Sequence, residues 1–266
     1  MVSRPRLRLL GAEVDVVTPE EVLAFTAACA DVRKKAVVAN HNAHSLYLVG
    51  RTPQMRAFYD RADLIEIDSA PMIAWARLLG ADISRRHRST YLDWREAFWD
   101  RAAAEGWRVF HLGCAPGVGE AARGAIHARH ANVEIGVRHG FFDPAGPEND
   151  RIVDEIRAFD PHVLLVGMGM PRQEAWIEAN FDRLPPAVIF PIGAAFDFEA
   201  GRSKTPPRWT GRMGLEWLHR FAHEPRRLFS RYFVEPWSLV GPAAADLRRA
   251  LAKSKGPRPK RLEATP

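Results

Sequence analysis

The chain has 266 residues, of which 47% are hydrophobic and 26% are charged, a composition that excludes global disorder. The formal net charge of +6 is unevenly spread. Residues 201–266 hold 15 of the 38 basic residues but only 5 of the 32 acidic ones, so the remaining 200 residues are slightly acidic. A basic end on a neutral-to-acidic body is typical of proteins that contact a polyanion. Phospholipid headgroups and nucleic acid are the two candidates.

The cysteine pattern and the apolar runs bear on location. Cys29 and Cys114 have neither disulfide-framework nor metal-site spacing, which favours a reducing cytoplasm. The short apolar run after the N-terminal arginines soon meets Glu13 and Asp15, so it is a poor signal peptide. No stretch approaches the roughly 20 apolar residues of a membrane-spanning helix. We therefore expect any membrane contact to be peripheral.

Apolar runs typical of strands alternate with longer amphipathic segments. The expected strands are Ala36–Ala39, Leu64–Ile67, Arg108–Leu112, Val133–Val137, His162–Val166 and Ala187–Pro191. The expected helices are 19–30, 70–79, 92–105, 117–130, 147–158 and 172–182. This alternation predicts an α/β fold with a Rossmann-like, mostly parallel sheet flanked by helices. In such sheets ligands bind beyond the carboxyl ends of the strands.

The sequence changes character after Gly201. Short segments separated at prolines are expected to form a small helical C-terminal appendage: 214–221, 224–232 and 236–251. Between Trp209 and Trp237, five arginines alternate with aromatic residues. This pattern suits a membrane interface, where guanidinium groups pair with phosphates and rings lie among headgroups. A helix packed on the body with a solvated basic face is the alternative, and no recognisable module supports nucleic-acid binding.

Two glycine-rich turns, Gly113–Gly119 and Gly167–Glu174, each lie between a strand and a helix. Backbone N–H groups at such turns can hold a phosphate. The first turn matches neither common nucleotide-binding glycine pattern, so a plain tight turn stays an alternative. In the second, Gln173 and Glu174 could point at a ligand's hydroxyls or ring amide, or the glutamate could only stabilise the helix start.

Several polar residues follow other strands. Asp68 could serve as the general base for an attacking hydroxyl, or equally as the N-cap of the next helix. Asn40–Asn42 and His44 lack a second ligand cluster, so we expect polar contacts there instead of a metal site. The absence of a D-x-D motif also favours a metal-independent mechanism. Asp197 could accept hydrogen bonds from a ribose or a base, whereas the phenylalanines beside it are expected in the core.

Together these motifs resemble the WecG/TagA/CpsF glycosyltransferases from about Leu10 to Trp237. The most specific stretches are GMGMPRQEAWI at Gly167–Ile177, GAAFDFEAG at Gly193–Gly201 and GLEWLHRFAHEPRRLFSRY at Gly214–Tyr232. The resemblance implies a compact α/β fold distinct from the two common glycosyltransferase folds. It also implies a UDP-sugar donor, a polyprenyl-diphosphate-linked sugar acceptor and an inverting, metal-independent hexosyl transfer without a cofactor.

The resemblance also assigns roles to residues. Asp68 matches the family's proposed general base, and Asn42 lies in the same pocket. We expect donor binding from Arg88, Thr90, Asp93, Gly113, Gly140, Phe141, Gly169, Gln173, Glu174, Gly193 and Asp197. Arg220, Arg227 and Arg231 are expected to help close the site and to bind the membrane-borne acceptor. Without a metal, Arg88 and these arginines would supply the positive charge that a leaving diphosphate needs.

The chain departs from the family pattern at three places. It has NHN at Asn40–Asn42 where T-P-N is usual, Ser69 after Asp68 where glycine is usual, and Tyr91 where the R-x-T-G-x-D pattern has glycine. Ser69 and Tyr91 add bulk near the expected donor sugar. We therefore expect a preference other than N-acetylmannosamine, such as a hexose or a uronic acid, with loss of activity as the alternative.

The expected protein is a glycosyltransferase of cell-surface or exopolysaccharide assembly, peripheral at the cytoplasmic face of the cell membrane, with homo-oligomerisation left open. It would comprise an α/β catalytic domain at 1–203, a basic helical membrane-docking appendage at 204–252 and a disordered tail at 253–266. One alternative is a Rossmann-like nucleotide-binding regulator whose basic tail binds nucleic acid with a strong salt dependence. Another, a dinucleotide oxidoreductase, lacks G-x-G-x-x-G at the first strand.

Overall fold

A computed structural model describes residues 6–203, 218, 221–222 and 225–254, except for the side chains of residues 227, 253 and 254. Within them, a six-stranded parallel sheet has the order β4-β3-β8-β7-β5-β6. Its strands are β3 (Ala36–His41), β4 (Leu64–Ile67), β5 (Arg108–Gly113), β6 (Glu134–Arg138), β7 (Val163–Gly167) and β8 (Val188–Pro191). A separate antiparallel hairpin is formed by β1 (Arg6–Leu9) and β2 (Ala12–Asp15).

The helices of the body alternate with these strands. They are α1 (Pro19–Asp31), α2 (Ala43–Val49), α3 (Pro53–Arg61), α4 (Ala70–Leu78), α5 (Tyr91–Glu105), α6 (Val118–His127), α7 (Pro147–Phe159), α8 (Arg172–Asn180) and α9 (Ala195–Glu199). The C-terminal part contains α10 (Pro225–Phe229), a π-helical turn (Ser230–Val234), a 3-10 turn (Glu235–Leu239) and α11 (Val240–Ser254). The predicted α/β fold, with its helical C-terminal part, is confirmed.

The sheet separates two apolar cores. Along β3, Val37 and Ala39 belong to one core, whereas Ala36 and Val38 belong to the other. Every residue of β7 is buried, as expected for a central parallel strand covered on both faces. Burying each large aliphatic side chain of this kind contributes roughly 1.5–3 kcal/mol. This burial holds the carboxyl ends of the strands in fixed relative positions.

The N-terminal hairpin was missing from the predicted elements. Its turn residues, Leu10 and Gly11, have φ values of 53° and 85°. Two-residue hairpin turns favour this left-handed backbone, but leucine rarely adopts it, so the sequence gives little sign of the turn. The buried Asp15 carboxylate accepts hydrogen bonds from Arg6 Nε at 2.9 Å and from the backbone N–H of Ile65 at 2.8 Å. The hairpin is thereby joined to β4.

The helices α2 and α3, of seven and nine residues, were also missing from the predicted elements. Local signals begin both of them. Asn42 caps α2, with Oδ1 accepting from the backbone N–H groups of His44 and Ser45 at 3.0 and 3.1 Å. Pro53 occupies the first turn of α3, where its missing N–H is not needed.

The C-terminal helix α11 packs against the body. Oδ2 of the buried Asp246 accepts hydrogen bonds from the backbone N–H of Leu10 at 2.7 Å and from Trp75 Nε1 at 3.1 Å. The helix continues through Ser254, past the predicted boundary at 252. The expected irregular connection after residue 203, most of the expected helix at 214–221 and most of the expected tail lie outside the described residues. No helix among the described residues is long and apolar enough to cross a bilayer.

Candidate active site

A cleft of about 300 Å³ opens beyond the carboxyl ends of β3, β4, β7 and β8. This is the edge at which parallel sheets bind ligands. The polar and charged side chains that line it come from five separate segments: Asn40, Asn42, His44, Glu66, Asp68, Arg88, Thr90, Gln173 and Arg231. Eight residues expected at the site therefore line this cleft: Asn42, Asp68, Arg88, Thr90, Gly169, Gln173, Gly193 and Arg231. The first and the last of them are 189 positions apart in the sequence.

Asp68 stands at the centre of the polar lining, directly after β4. Its backbone N–H donates to the His41 carbonyl at 3.0 Å, and Asn42 Nδ2 donates to Asp68 Oδ2 at 3.4 Å. Because Asn42 Oδ1 is used to cap α2, the amide N–H₂ is directed towards the carboxylate. Ser69, and not Asp68, is the N-cap residue of α4. Asp68 is therefore not the N-cap of this helix.

A second carboxyl group in the cleft, that of Glu66, was missed in the sequence analysis. Glu66 is only 2% exposed. Burial, helped by the negative charges of Asp68 and Asp93 and opposed by hydrogen bonding from Ser89 and Trp94, raises the pKa of this carboxyl to about 8. Glu66 is therefore mostly protonated at neutral pH. The available signal was a glutamate inside the apolar run LIEI, where a charged side chain is unusual.

Positive charge beside Asp68 comes from Arg88. A parallel bridge pairs Arg88 with Ile67, which holds this segment alongside the end of β4. Arg88 Nη1 lies 3.5 Å from Asp93 Oδ2, and Thr90 Oγ1 donates to the same carboxylate oxygen at 2.8 Å. Asp93 therefore contacts both cleft residues from the first turn of α5, one layer behind the cleft surface.

Gln173 joins two loops of the cleft wall. Its Oε1 accepts from the backbone N–H groups of Gly169 and Gly193, each at 3.1 Å. Its Nε2 donates to Glu174 Oε1 at 2.8 Å. Glu174 is fully buried behind Gln173, and burial raises the pKa of its carboxyl to about 7. Gln173 therefore lies at the cleft, and Glu174 lies behind it and accepts a hydrogen bond from its side-chain amide.

Four residues expected at the donor site lie away from the cleft. Gly113 is the last residue of β5, Gly140 follows β6, and each is confined by packing. A Cβ on Gly113 would lie 2.3 Å from the Gly167 carbonyl oxygen, and one on Gly140 would lie 2.8 Å from Met168 Cγ. The other two are Phe141, which is exposed beyond β6, and Asp197, which lies on α9.

The two positions where the family usually has glycine differ in their surroundings. Tyr91 is one of the residues that line the cleft, but its hydroxyl donates to Glu199 Oε1 at 2.9 Å and accepts from Trp99 Nε1 at 3.0 Å. The Tyr91 hydroxyl is thus held inside the body. Ser69 is buried and makes no side-chain capping bond to α4.

The described C-terminal residues reach the cleft through Arg231 and through a contact of Glu235 with the cleft residue His44. Arg231 lines the cleft directly, and Glu235 Oε2 lies 2.6 Å from His44 Nδ1. Arg220 and the side chain of Arg227 lie outside the described residues. Among the residues that are described, no group of three His, Cys, Asp or Glu side chains is arranged to hold a metal ion.

The model of the family described as "Glycosyl transferase WecG/TagA/CpsF family" matches residues 7–253. Similar curated proteins include the N-acetylglucosaminyldiphosphoundecaprenol N-acetyl-beta-D-mannosaminyltransferases of Staphylococcus aureus strains MRSA252 and MW2. Each is 26% identical over 204 residues, which cover 73% of this chain and 78% of the relative. The match spans both the α/β body and the C-terminal helices and confirms the resemblance read from the motifs. The chain belongs to the WecG/TagA/CpsF family of glycosyltransferases.

Proposed function

We propose that this enzyme transfers a sugar from a UDP-sugar donor to a sugar carried on a polyprenyl diphosphate, in the assembly of a cell-surface polysaccharide or exopolysaccharide. The relatives from Staphylococcus aureus are named for an acceptor of this class, a sugar on diphosphoundecaprenol. The observation that carries the proposal is the Asp68 carboxylate, which meets Asn42 and lines one cleft with Arg88 and Arg231. Membership in an enzyme family favours this proposal over the regulator and oxidoreductase alternatives.

In the proposed mechanism Asp68 is the general base. The acceptor hydroxyl attacks the anomeric carbon of the donor sugar while its proton passes to an Asp68 carboxylate oxygen. The new C–O bond forms on the face opposite the leaving group, and the electron pair of the broken bond departs with the UDP diphosphate. The configuration at the anomeric carbon is therefore inverted. Asn42 positions the carboxylate through the 3.4 Å contact.

Arg88 and Arg231 would stabilise the charge that develops on the diphosphate. Preorganised cations in a partly desolvated site favour a transition state in which such charge appears. Arg88 is partly buried and lies 3.5 Å from Asp93, so its direction is restrained before a ligand binds. The loops joined by Gln173 would shape the wall around the donor, and no metal ion is required. Arg220 and Arg227 remain predicted contributors.

The C-terminal part would place the enzyme on the cytoplasmic face of the membrane. Apolar side chains at its surface are unusually exposed, with Trp237 at 75% and Phe229 at 56%. Exposed aromatic residues next to Arg231 suit a headgroup interface. Since Arg231 also lines the cleft, the same segment would deliver the lipid-linked acceptor to Asp68.

We further propose that the transferred sugar is a hexose or a uronic acid instead of N-acetylmannosamine. Tyr91 lines the cleft at a position where the family usually has glycine, and its hydroxyl is held by Glu199 and Trp99. A ring fixed in this way narrows the space next to the donor sugar.

Substitution of the proposed base tests the function. Asp68→Asn keeps the shape of the side chain but removes the proton acceptor, so sugar transfer to a polyprenyl-diphosphate-linked N-acetylglucosamine should be abolished while UDP binding stays nearly intact. Asp150→Asn, at an exposed ion pair with Arg183, is the matched control and should behave as wild type. Full activity of Asp68→Asn would disprove the base assignment.

A further inference from the structure

Glu66 presents an unpaired oxygen within the cleft. It lines the cleft, it is almost completely buried, and its Oε2 atom has no hydrogen-bond partner among the described residues. It precedes Asp68, the first residue after β4, by two positions, and both residues line the cleft. The two carboxyl groups thus face the same cavity, with Glu66 at the inner end and the half-buried Asp68 nearer the mouth.

Two further polar atoms border the Glu66 carboxyl. Ser89 and Trp94 lie within hydrogen-bonding reach of the Glu66 carboxyl and lower its pKa, although the contacts of Ser89 Oγ and Trp94 Nε1 lack full hydrogen-bond geometry among the described residues. Buried polar groups are almost always paired, because an unpaired one loses its hydrogen bonds to water without replacement. The hydrogen bonding of these three groups is therefore incomplete, and a ligand hydroxyl that reaches Glu66 from the cleft would complete it.

Burial and the surrounding charges keep Glu66 neutral. Burial is the main cause that raises the pKa of Glu66 to about 8, and the negative charges of Asp68, after β4, and Asp93, on α5, act in the same direction. Across the sheet, the residue aligned with Glu66 is the uncharged Asn40 of β3. The remaining ionisable residues of the described cleft lining are Arg88, His44, Arg231 and Tyr91. A protonated carboxyl has one O–H donor and one carbonyl acceptor, the combination that matches a sugar hydroxyl.

We propose that Glu66 is a specificity-determining residue that binds a hydroxyl of the transferred sugar as a neutral carboxylic acid. This inference rests on the proposed function. The acceptor is attached to a lipid, so its sugar enters from the membrane side and meets Asp68 near the mouth. The donor sugar would then lie further in, where Glu66 lines the cleft beside Trp94 and provides a hydrogen-bonding partner.

Steady-state transfer kinetics across pH 6.5–9.5 test the proposal, with the most active donor of UDP-glucose, UDP-galactose and UDP-glucuronate. Glu66→Ala should raise the donor KM by about tenfold, the effect of a lost hydrogen bond of about 1.4 kcal/mol, and leave the acceptor KM unchanged. Glu66→Gln, which stays neutral and keeps a donor and an acceptor, should retain most activity and lose the decline in kcat/KM near pH 8. Glu178→Gln, far from the cleft, is the control.

The outcomes separate the two proposals. If wild type transfers sugar but both Glu66 variants keep its donor KM and its pH profile, the assignment of Glu66 is overturned and the function stands. A change in the acceptor KM alone would also overturn it. If wild type transfers none of the donor sugars, the proposed function fails and the assignment fails with it.

Discussion

The stability of the Glu66→Gln variant relative to wild type should increase as pH rises, because wild type loses stability when Glu66 ionises. In the unfolded chain this carboxyl has its ordinary pKa near 4.5, whereas burial raises it to about 8 in the folded protein. Between these values the folded state holds a proton that the unfolded state has released. Its contribution to stability is therefore fully present below pH 4.5 and is lost progressively up to pH 8. Glutamine is similar in shape and does not titrate.

The size of the effect follows from the two pKa values. Each pH unit in this window changes the free energy of unfolding by about 1.4 kcal/mol per titrating group. Because the folded-state carboxyl is half-ionised near pH 8, the loss between pH 6 and pH 8 amounts to about 2 kcal/mol. For a protein of this length, that corresponds to a difference in Tm of about 4–8 °C.

Urea unfolding of wild type and Glu66→Gln at pH 6 and pH 8 measures this difference. The stability advantage of the variant over wild type should increase by about 2 kcal/mol between the two pH values. Glu178→Gln is the matched control, because Arg61 lowers the pKa of Glu178 and its titration falls below this window. Equal advantages of Glu66→Gln at both pH values would refute a neutral Glu66.

Three further predictions concern packing, the C-terminal link and membrane contact. Gly113→Ala should destabilise the fold by about 1–3 kcal/mol in thermal melts, because its Cβ would lie 2.3 Å from a neighbouring carbonyl oxygen. The control Gly124→Ala, which has open space around its Cβ in a helix, should stabilise the protein by up to about 1 kcal/mol. Equal changes in stability for Gly113→Ala and Gly124→Ala would contradict the packing argument. Glu235→Gln weakens the contact with His44 and should lower the rate of sugar transfer several-fold without changing Tm. A variant with the wild-type rate would show that this contact does not support the site. Trp237→Ser should reduce sedimentation with anionic vesicles, and undiminished binding would exclude this surface from docking.

The sequence was sufficient for the sheet and for the edge where the site lies. Apolar runs and their spacing predict β3 to β8, and Asp68 and Gln173 follow strands whose carboxyl ends form the cleft. Both inferences depend on the local pattern alone, because helices must cover the two faces of a parallel sheet. The family motifs then identified the enzyme class.

The remaining features depend on contacts between distant segments. Gly113 has the sequence context of a phosphate-binding turn. In the structure, however, the backbone of the neighbouring strand β7 lies too close to Gly113 to leave room for a side chain. Glu66 lies in an apolar run that does not reveal which neighbours leave it unpaired. The hydroxyl of Tyr91 is directed away from the cleft by Glu199, 108 residues further along the chain. Such pairings follow from the assembled fold and not from local pattern.

Mass spectrometry of the lipid product tests the central claim most directly. The purified enzyme would be incubated with a UDP-sugar and polyprenyl-diphosphate-linked N-acetylglucosamine, without added metal and with chelator present. We predict a lipid-linked disaccharide, one sugar residue heavier than the acceptor, that forms with wild type and not with Asp68→Asn. Equal product from both proteins, or none from wild type with any UDP-sugar, would contradict the account.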